Sequence, residues 1–185
     1  MKLLSITVPC YNSSAYMRKC IDSLLTGGED VEILIVDDGS TKDNTAEIAD
    51  EYAEKYPTIV RAIHQENKGH GGAVNTGLEA ATGLYFKVVD SDDWVNEEAY
   101  RKILEVLETQ IRGSQTLDVL ISNYVYEKEG AKRKRVMRYP HEFPENRIFG
   151  WKDMKKLRPT HYVLMHSLIF RTSLLRAVSY THLTL

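Results

Sequence analysis

Two short apolar runs rich in Val and Ile each end in a cluster of acidic residues, Val36-Asp37-Asp38-Gly39-Ser40 and Asp90-Ser91-Asp92-Asp93. Short β-branched runs bounded by Asp, Gly and Ser read as strands buried on both faces, which implies a parallel sheet covered by helices. In an open α/β sheet, ligands bind beyond the carboxyl ends of the strands, so carboxylates at two strand ends can converge on one ligand. A nucleotide diphosphate held through a divalent cation suits that arrangement.

The rest of the chain alternates in the same way. Residues 3–8 read as a strand, followed by a turn over 9–14 in which Ser13 or Ser14 is the candidate cap of a helix carrying Met17, Cys20, Ile21, Leu24 and Leu25. Residues 31–36 form a second strand, and 44–56 a helix with Thr41 or Asp43 as its cap and Pro57 as its stop. Residues 59–63 read as a third strand, 66–72 as a polar glycine-rich loop, 73–81 as a short helix and 84–89 as a fourth strand, with a further helix over about 96–110. This alternation predicts βαβ units and an α/β fold with a Rossmann-like, doubly wound, mostly parallel sheet. Residues 117–126 and 162–170 read as later strands and 172–177 as the start of a helix whose pattern 179–185 breaks. One incomplete domain over 1–177 and a non-native tail over 178–185 are therefore expected; a stop codon directly after Leu185 in an intact gene would overturn the latter.

At 185 residues, 43% apolar and 27% charged, with a net charge of -2, the chain has material for one core and no general attraction to nucleic acid. Cys10 and Cys20 make neither a disulfide framework nor a zinc site, and a reducing cytoplasm fits. No stretch has the length and apolarity of a membrane span.

Asp90 and Asp92 are two apart, so extended backbone would point them the same way, as hard oxygen ligands for Mg²⁺ or Mn²⁺ with Asp93 as a third partner. The bland reading is a cap on the helix near Asn96, which needs one such residue and not four. Asp37 and Asp38 are turn formers too, yet a carboxylate here can accept from a base N–H or a ribose hydroxyl. Pro9, Tyr11 and Asn12 add backbone contacts and an aromatic face, although Tyr11 reads equally as packing. Asn67 to Gly72 allow close backbone approach of an anion, to which Lys68 adds charge, but match neither a dinucleotide fingerprint nor a Walker loop. His70 reads as a loop hydrogen-bonder, and His141, His161, His166 and His182 as structural. Trp94 and Trp151 read as packing, with Trp94 closing the aspartate loop. Lys128, Lys132, Arg133, Lys134, Arg135 and Arg138 read as the solvated face of a hairpin; the sharper reading is a surface for an anionic acceptor or phospholipid head groups.

In combination, Val8-Pro9-Cys10-Tyr11-Asn12, Val36-Asp37-Asp38-Gly39-Ser40, Asn67-Lys68-Gly69 with Ala73-Val74-Asn75-Thr76-Gly77, and Asp90-Ser91-Asp92-Asp93 resemble the family 2 glycosyltransferases, inverting enzymes of the GT-A fold. The resemblance runs from about residue 4 to 95 and more loosely to 171. It implies that Pro9, Tyr11 and Asp38 surround the uracil of a UDP-sugar, that Asp90 lies near the ribose and diphosphate, and that Asp92 with Asp90 binds the metal. Asn12, Lys68, Asn75 and Ser91 complete the implied donor site. An acceptor hydroxyl deprotonated by a general base would displace UDP in one inverting step, as in a hexosyltransferase. The implied acceptor is a polysaccharide, lipid-linked or protein-attached glycan; the implied location is cytoplasmic, with peripheral contact at the inner face of a membrane.

Two departures stand out. Val74 occupies a position where the family often has Arg, and no acidic pair follows Arg171, so the chain is expected to lack its base and to bind UDP with Mg²⁺ or Mn²⁺ while transferring sugar poorly. The rival readings are a sugar nucleotidyltransferase, which would have a glycine-rich loop and an Arg in place of Pro9-Cys10-Tyr11-Asn12, and a non-catalytic nucleotide-sugar binding module. UDP release, pyrophosphate release and silence, respectively, separate the three.

Overall fold

The computed structural model describes residues 1–113, 116–127, 134–158 and 162–178. Contacts divide them between two compact units, Met1–Asp118 with Phe170 onward, and Val119–Ile169.

The first unit runs β1 (Leu4–Cys10), α1 (Met17–Leu25), β2 (Val31–Asp37), α2 (Thr45–Lys55), β3 (Val60–His64), α3 (Gly69–Ala80), β4 (Tyr85–Val88) and α4 (Glu97–Arg112). Its strands lie in the order β3-β2-β1-β4, all parallel. Phe170 and Arg171, the end of β8 (Leu168–Arg171), pair antiparallel with Phe86 and Tyr85. The mostly parallel, helix-covered sheet is the one expected from the sequence. Every residue of β1, β2 and β4 is buried, as strands covered on both faces must be. Tyr52 donates to Asp22 Oδ1 (2.7 Å) and Arg18 pairs with Glu51, joining α2 to α1. On β1, Thr7 meets Gly77 of α3 so closely that a Cβ on the glycine would lie 2.2 Å from Thr7 Oγ1.

Pro9 determines where the sheet opens. Thr7 O accepts from Val89 N and Cys10 O from Asp38 N, so odd residues of β1 bond toward β4 and even ones toward β2. The next donor toward β4 would be residue 9, and proline has none, so that ladder stops and the chain after β4 is free to turn away.

A buried carboxylate holds the opposite end of the sheet. Glu32 Oε1 accepts from Ser5 Oγ (2.5 Å), Thr82 N (2.5 Å) and Gly83 N (3.1 Å). Burial alone would raise the Glu32 pKa, but these hydrogen bonds overcome it and lower the pKa below the ordinary glutamate value. A depressed folded-state value contributes stability that is present above the unfolded pKa and is lost as pH falls through the folded one. Glu32→Gln is therefore expected to cost about 1–3 kcal/mol at neutral pH and to flatten the decline in stability below about pH 4.5, measured by urea unfolding across pH. Equal slopes in both proteins would refute this.

α5 (Thr172–Ala177) packs back on the same unit. Thr172 Oγ1 donates to Gly83 O (2.6 Å), and Arg176 donates to the carbonyls of Leu78 (3.0 Å) and Ala81 (2.6 Å), capping the carboxyl end of α3 with a cation.

In the second unit, β5 (Val119–Ile121) is followed by β6 (Tyr124–Tyr126), which pairs antiparallel with β7 (Arg135–Met137). Phe143 stacks on Phe149 and meets Tyr139 at a tilt, and Arg158 Nε reaches the buried Glu142 carboxylate at 2.9 Å.

Several boundaries differ from expectation. Ser13 does not cap α1: its hydroxyl accepts from Tyr11 N (3.1 Å), and its carbonyl from Tyr16 and Met17. Asp43 does hold the start of α2, accepting from Thr45 N (3.1 Å). The glycine-rich residues 69–72 are the first turn of α3 and not a loop. Asn96, and not the aspartate cluster, caps α4, accepting from Ala99 N (2.9 Å). The strand expected over 117–126 is two strands, and within 162–170 only the end is strand, after a 3₁₀ turn at Met165–Ser167. Arg135 lies in the expected hairpin, while residues 128–133 and 179–185, with His161 and His182, fall outside the described residues. Trp151 does not pack, being 84% exposed, and Trp94 is 39% exposed with Lys19 Nζ 3.0 Å from its ring centroid. No described helix is long and apolar enough to cross a membrane.

Candidate active site

At the carboxyl ends of β1, β2 and β4 lies a cleft of about 530 Å³, lined by Pro9 to Ser13, Tyr16, Asp38, Asn67, Gly69, His70, Ala73 and Asp90 to Asp92. Asp38 and Asp92, from different strand ends, share it. Of the residues expected at the site, Pro9, Tyr11, Asn12, Asp38, Asp90, Ser91 and Asp92 line the cleft; Lys68 and Asn75 do not. Another concavity, along the α4 face from Asn96 to Glu105, is lined by exposed ion pairs such as Arg101–Glu97 and Lys102–Glu98 and is a solvated helix face.

Asp38 is the fixed point of the wall formed by β2. It is 3% exposed, and its Oδ1 accepts from Gln65 Nε2 (2.6 Å) and Lys68 N (2.8 Å). Both bonds fall on one oxygen, leaving Oδ2 without a hydrogen-bond partner among the described residues. Lys68 thus serves the site through its backbone. Gly39 has φ +72°, and a Cβ there would lie 2.9 Å from Asn67 N, so glycine lets the Asp38 loop and the loop before α3 close on each other. Asp37 faces away toward His64, whose Nδ1 is 3.2 Å from it and whose Nε2 is 2.9 Å from Asp50; the Asp50 bond first, then the Asp37 bond, raises the His64 pKa.

Asn12 holds the wall formed by β1. Its φ is +50°, a left-handed conformation that asparagine tolerates better than most residues, and its Oδ1 accepts from Thr41 N (3.2 Å) and Lys42 N (3.0 Å). That carbonyl is therefore committed to the loop after β2. Tyr11, 50% exposed, is part of the cleft lining and is not packed into the core. Ser91 Oγ donates to Ser13 Oγ (2.9 Å), tying the two strand ends together. Cys10, also in the lining, is an inert thiol: burial, followed by the charge of Asp37, pushes its pKa up to about 12.

The aspartate loop is a turn, with Asp93 N donating to Asp90 O at 2.9 Å, so the extended backbone invoked to align Asp90 with Asp92 is not the reason they share the cleft. The turn itself brings them to the mouth. Both offer carboxylate oxygens to the cleft, the donor type that Mg²⁺ and Mn²⁺ prefer. His70 Nε2 sits 2.8 Å from Asp90 Oδ1, and that hydrogen bond raises the His70 pKa. Neither this pair nor Ser13 or Tyr16 was singled out from sequence as site-forming, whereas Asn67 and Gly69 belong to the run expected to let an anion approach. The available signal was that His70, lying within a glycine-rich run beside a strand end, sits where a helix would begin.

The chain belongs to glycosyl transferase family 2, whose sequence profile matches residues 5–178. Among curated proteins it is 37% identical over 161 residues to the uncharacterized glycosyltransferase EpsJ of Bacillus subtilis (strain 168), covering 86% of this chain and 44% of that one. Among solved structures, S. aureus TarS in complex with UDP-GlcNAc superposes with a TM-score of 0.65 at 27% identity, over 96% of this chain and 47% of that one. Mannosyltransferase PcManGT from Pyrobaculum calidifontis, solved with GDP-Man and Mn²⁺, shares the fold at a TM-score of 0.53 and 23% identity, over 64% of this chain and 34% of its own. The chain thus spans under half the length of the relatives it matches.

Proposed function

We propose that this chain forms the donor-binding part of an inverting, metal-dependent glycosyltransferase that uses a UDP-sugar. The carrying observation is that Asp38 and the pair Asp90 and Asp92 line one cleft, with Tyr11 exposed beside them. In this reading Asp38 offers Oδ2 to the uracil N–H while Gln65 and Lys68 N hold Oδ1 in place, and Tyr11 stacks on the base. Asp92 and Asp90 hold Mg²⁺ or Mn²⁺, which when bound supplies positive charge against the departing diphosphate. The preset hydrogen bonds of Asn12, Ser13 and Ser91 fix the walls before the donor arrives, which lowers the ordering cost of binding. For the whole protein, we infer transfer to a glycan, lipid-linked or polysaccharide acceptor hydroxyl attacking from the face opposite UDP.

A thermal-shift panel of UDP-, GDP- and ADP-sugars with and without Mn²⁺ tests this reading. At 100 times its dissociation constant a true donor adds about 2.7 kcal/mol, or roughly 5–10 °C in Tm for a domain of this size. UDP-sugars are expected to give that shift in wild type with Mn²⁺ and to lose most of it in Asp92→Ala. Stabilisation by GDP-sugars alone would overturn the base assignment, and equal shifts in both proteins with Mn²⁺ would overturn the metal assignment.

A further inference from the structure

We propose that His70 is a ligand of the donor's diphosphate, exchanging its bond to Asp90 for one to a phosphate oxygen when the nucleotide sugar binds; this rests on the donor-binding reading above. Among the described residues the cleft lining holds three carboxylates, Asp38, Asp90 and Asp92, and neither Lys nor Arg, so no ammonium or guanidinium lines it to meet an anion, and His70 brings the one imidazole. The nearby candidates point elsewhere. Lys68 gives its N–H to Asp38, and its side chain runs against Gly72, where a Cβ would lie 2.4 Å from Lys68 Cβ. Val74, one turn beyond His70 on α3, is 1% exposed and apolar. Lys19 is held over the Trp94 ring.

The 2.8 Å bond to Asp90 Oδ1 places the imidazole at the aspartate turn, where a diphosphate bridged to Asp90 and Asp92 would lie. The two side chains are 50% and 26% exposed, so the pair is solvated and opening it strands no buried group. An imidazole carrying its proton on Nε2 donates equally to a carboxylate or a phosphate oxygen, so the exchange needs no change of protonation. A carboxylate that shares its charge with a cation becomes a weaker acceptor, so Asp90 would hold His70 less tightly once a cation is bound, while the diphosphate offers the same donor a charged oxygen. Uptake of cation and diphosphate together therefore favours the exchange. Gly69, which precedes His70 in the lining, has φ +74°, with open space where a Cβ would be.

Calorimetric titration of UDP and of uridine, in the presence of Mn²⁺, into the 185-residue chain and its His70→Ala and His70→Gln variants provides the test. His70→Ala is expected to weaken UDP about tenfold while leaving uridine within about twofold, because only the phosphates lose a partner. His70→Gln, whose amide still donates, is expected to recover most of the loss. Unchanged UDP affinity in His70→Ala, or parallel losses for uridine and UDP, would overturn the assignment. A wild-type chain that binds neither ligand would remove the donor-binding reading and this inference with it, a result distinct from wild-type binding that the variant leaves intact.

Discussion

Asp38→Asn should fold with nearly wild-type stability and lose UDP. The substitution keeps a carbonyl oxygen for Gln65 Nε2 and Lys68 N, so the local network survives, while the charge and the second acceptor offered to the base are removed. Losing a charged hydrogen bond to the ligand costs about 1.5–3 kcal/mol, and presenting an amide N–H to a base N–H adds a repulsive contact, so a fall in UDP affinity of roughly 100-fold or more is expected by calorimetry. Asp38→Ala should go further and leave two donors without their acceptor, costing about 2–4 kcal/mol of stability as well. UDP binding by Asp38→Asn within a fewfold of wild type would remove Asp38 from the base pocket.

The second large effect falls on the fold. At Gly77 an added Cβ would lie 2.2 Å from Thr7 Oγ1 and 2.4 Å from Thr7 Cγ2, both on a fully buried residue in the middle of β1. Neither side can yield: β1 is paired with β2 and β4, and α3 is capped by Arg176. Gly77→Ala is expected to cost about 3 kcal/mol, the upper end of ordinary overpacking, or roughly 6–12 °C in Tm. Thr7→Ala combined with Gly77→Ala should restore part of it, since the clashing atoms are removed and Thr7 Oγ1, buried and without a hydrogen-bond partner among the described residues, is lost at little cost. Additive losses in the double variant would show that the contact is not the cause.

The parallel core was legible in sequence because runs such as residues 31–36 have one reading once Asp and Gly bound them, and burial on both faces leaves no alternation to misinterpret. The convergence of Asp38 with Asp90 and Asp92 was legible for the same reason: strand ends in a parallel sheet share an edge. Local features set by distant partners were not. Residues 69–72 have the glycine content of a loop, and they are helical because they continue a helix anchored on β1 through Gly77. Ser13 has the composition of a cap, but its hydroxyl is claimed by Tyr11 and Ser91, from 2 and 78 residues away. The cap on α4 fell to Asn96 because the aspartates were already folded into their own turn. In the second unit the strands are three residues long, too short for any periodicity to mark their ends.

Pro9 carries a consequence beyond the cleft it opens. A cleft at the end of a sheet leaves one side of a central strand without a strand partner, where amides would otherwise invite an extended segment of another polypeptide to add on, the first step of aggregation. Proline at the first unpaired rung makes that edge unreadable to a foreign strand, so the feature that leaves room for a small ligand also guards the vacancy against templated self-association.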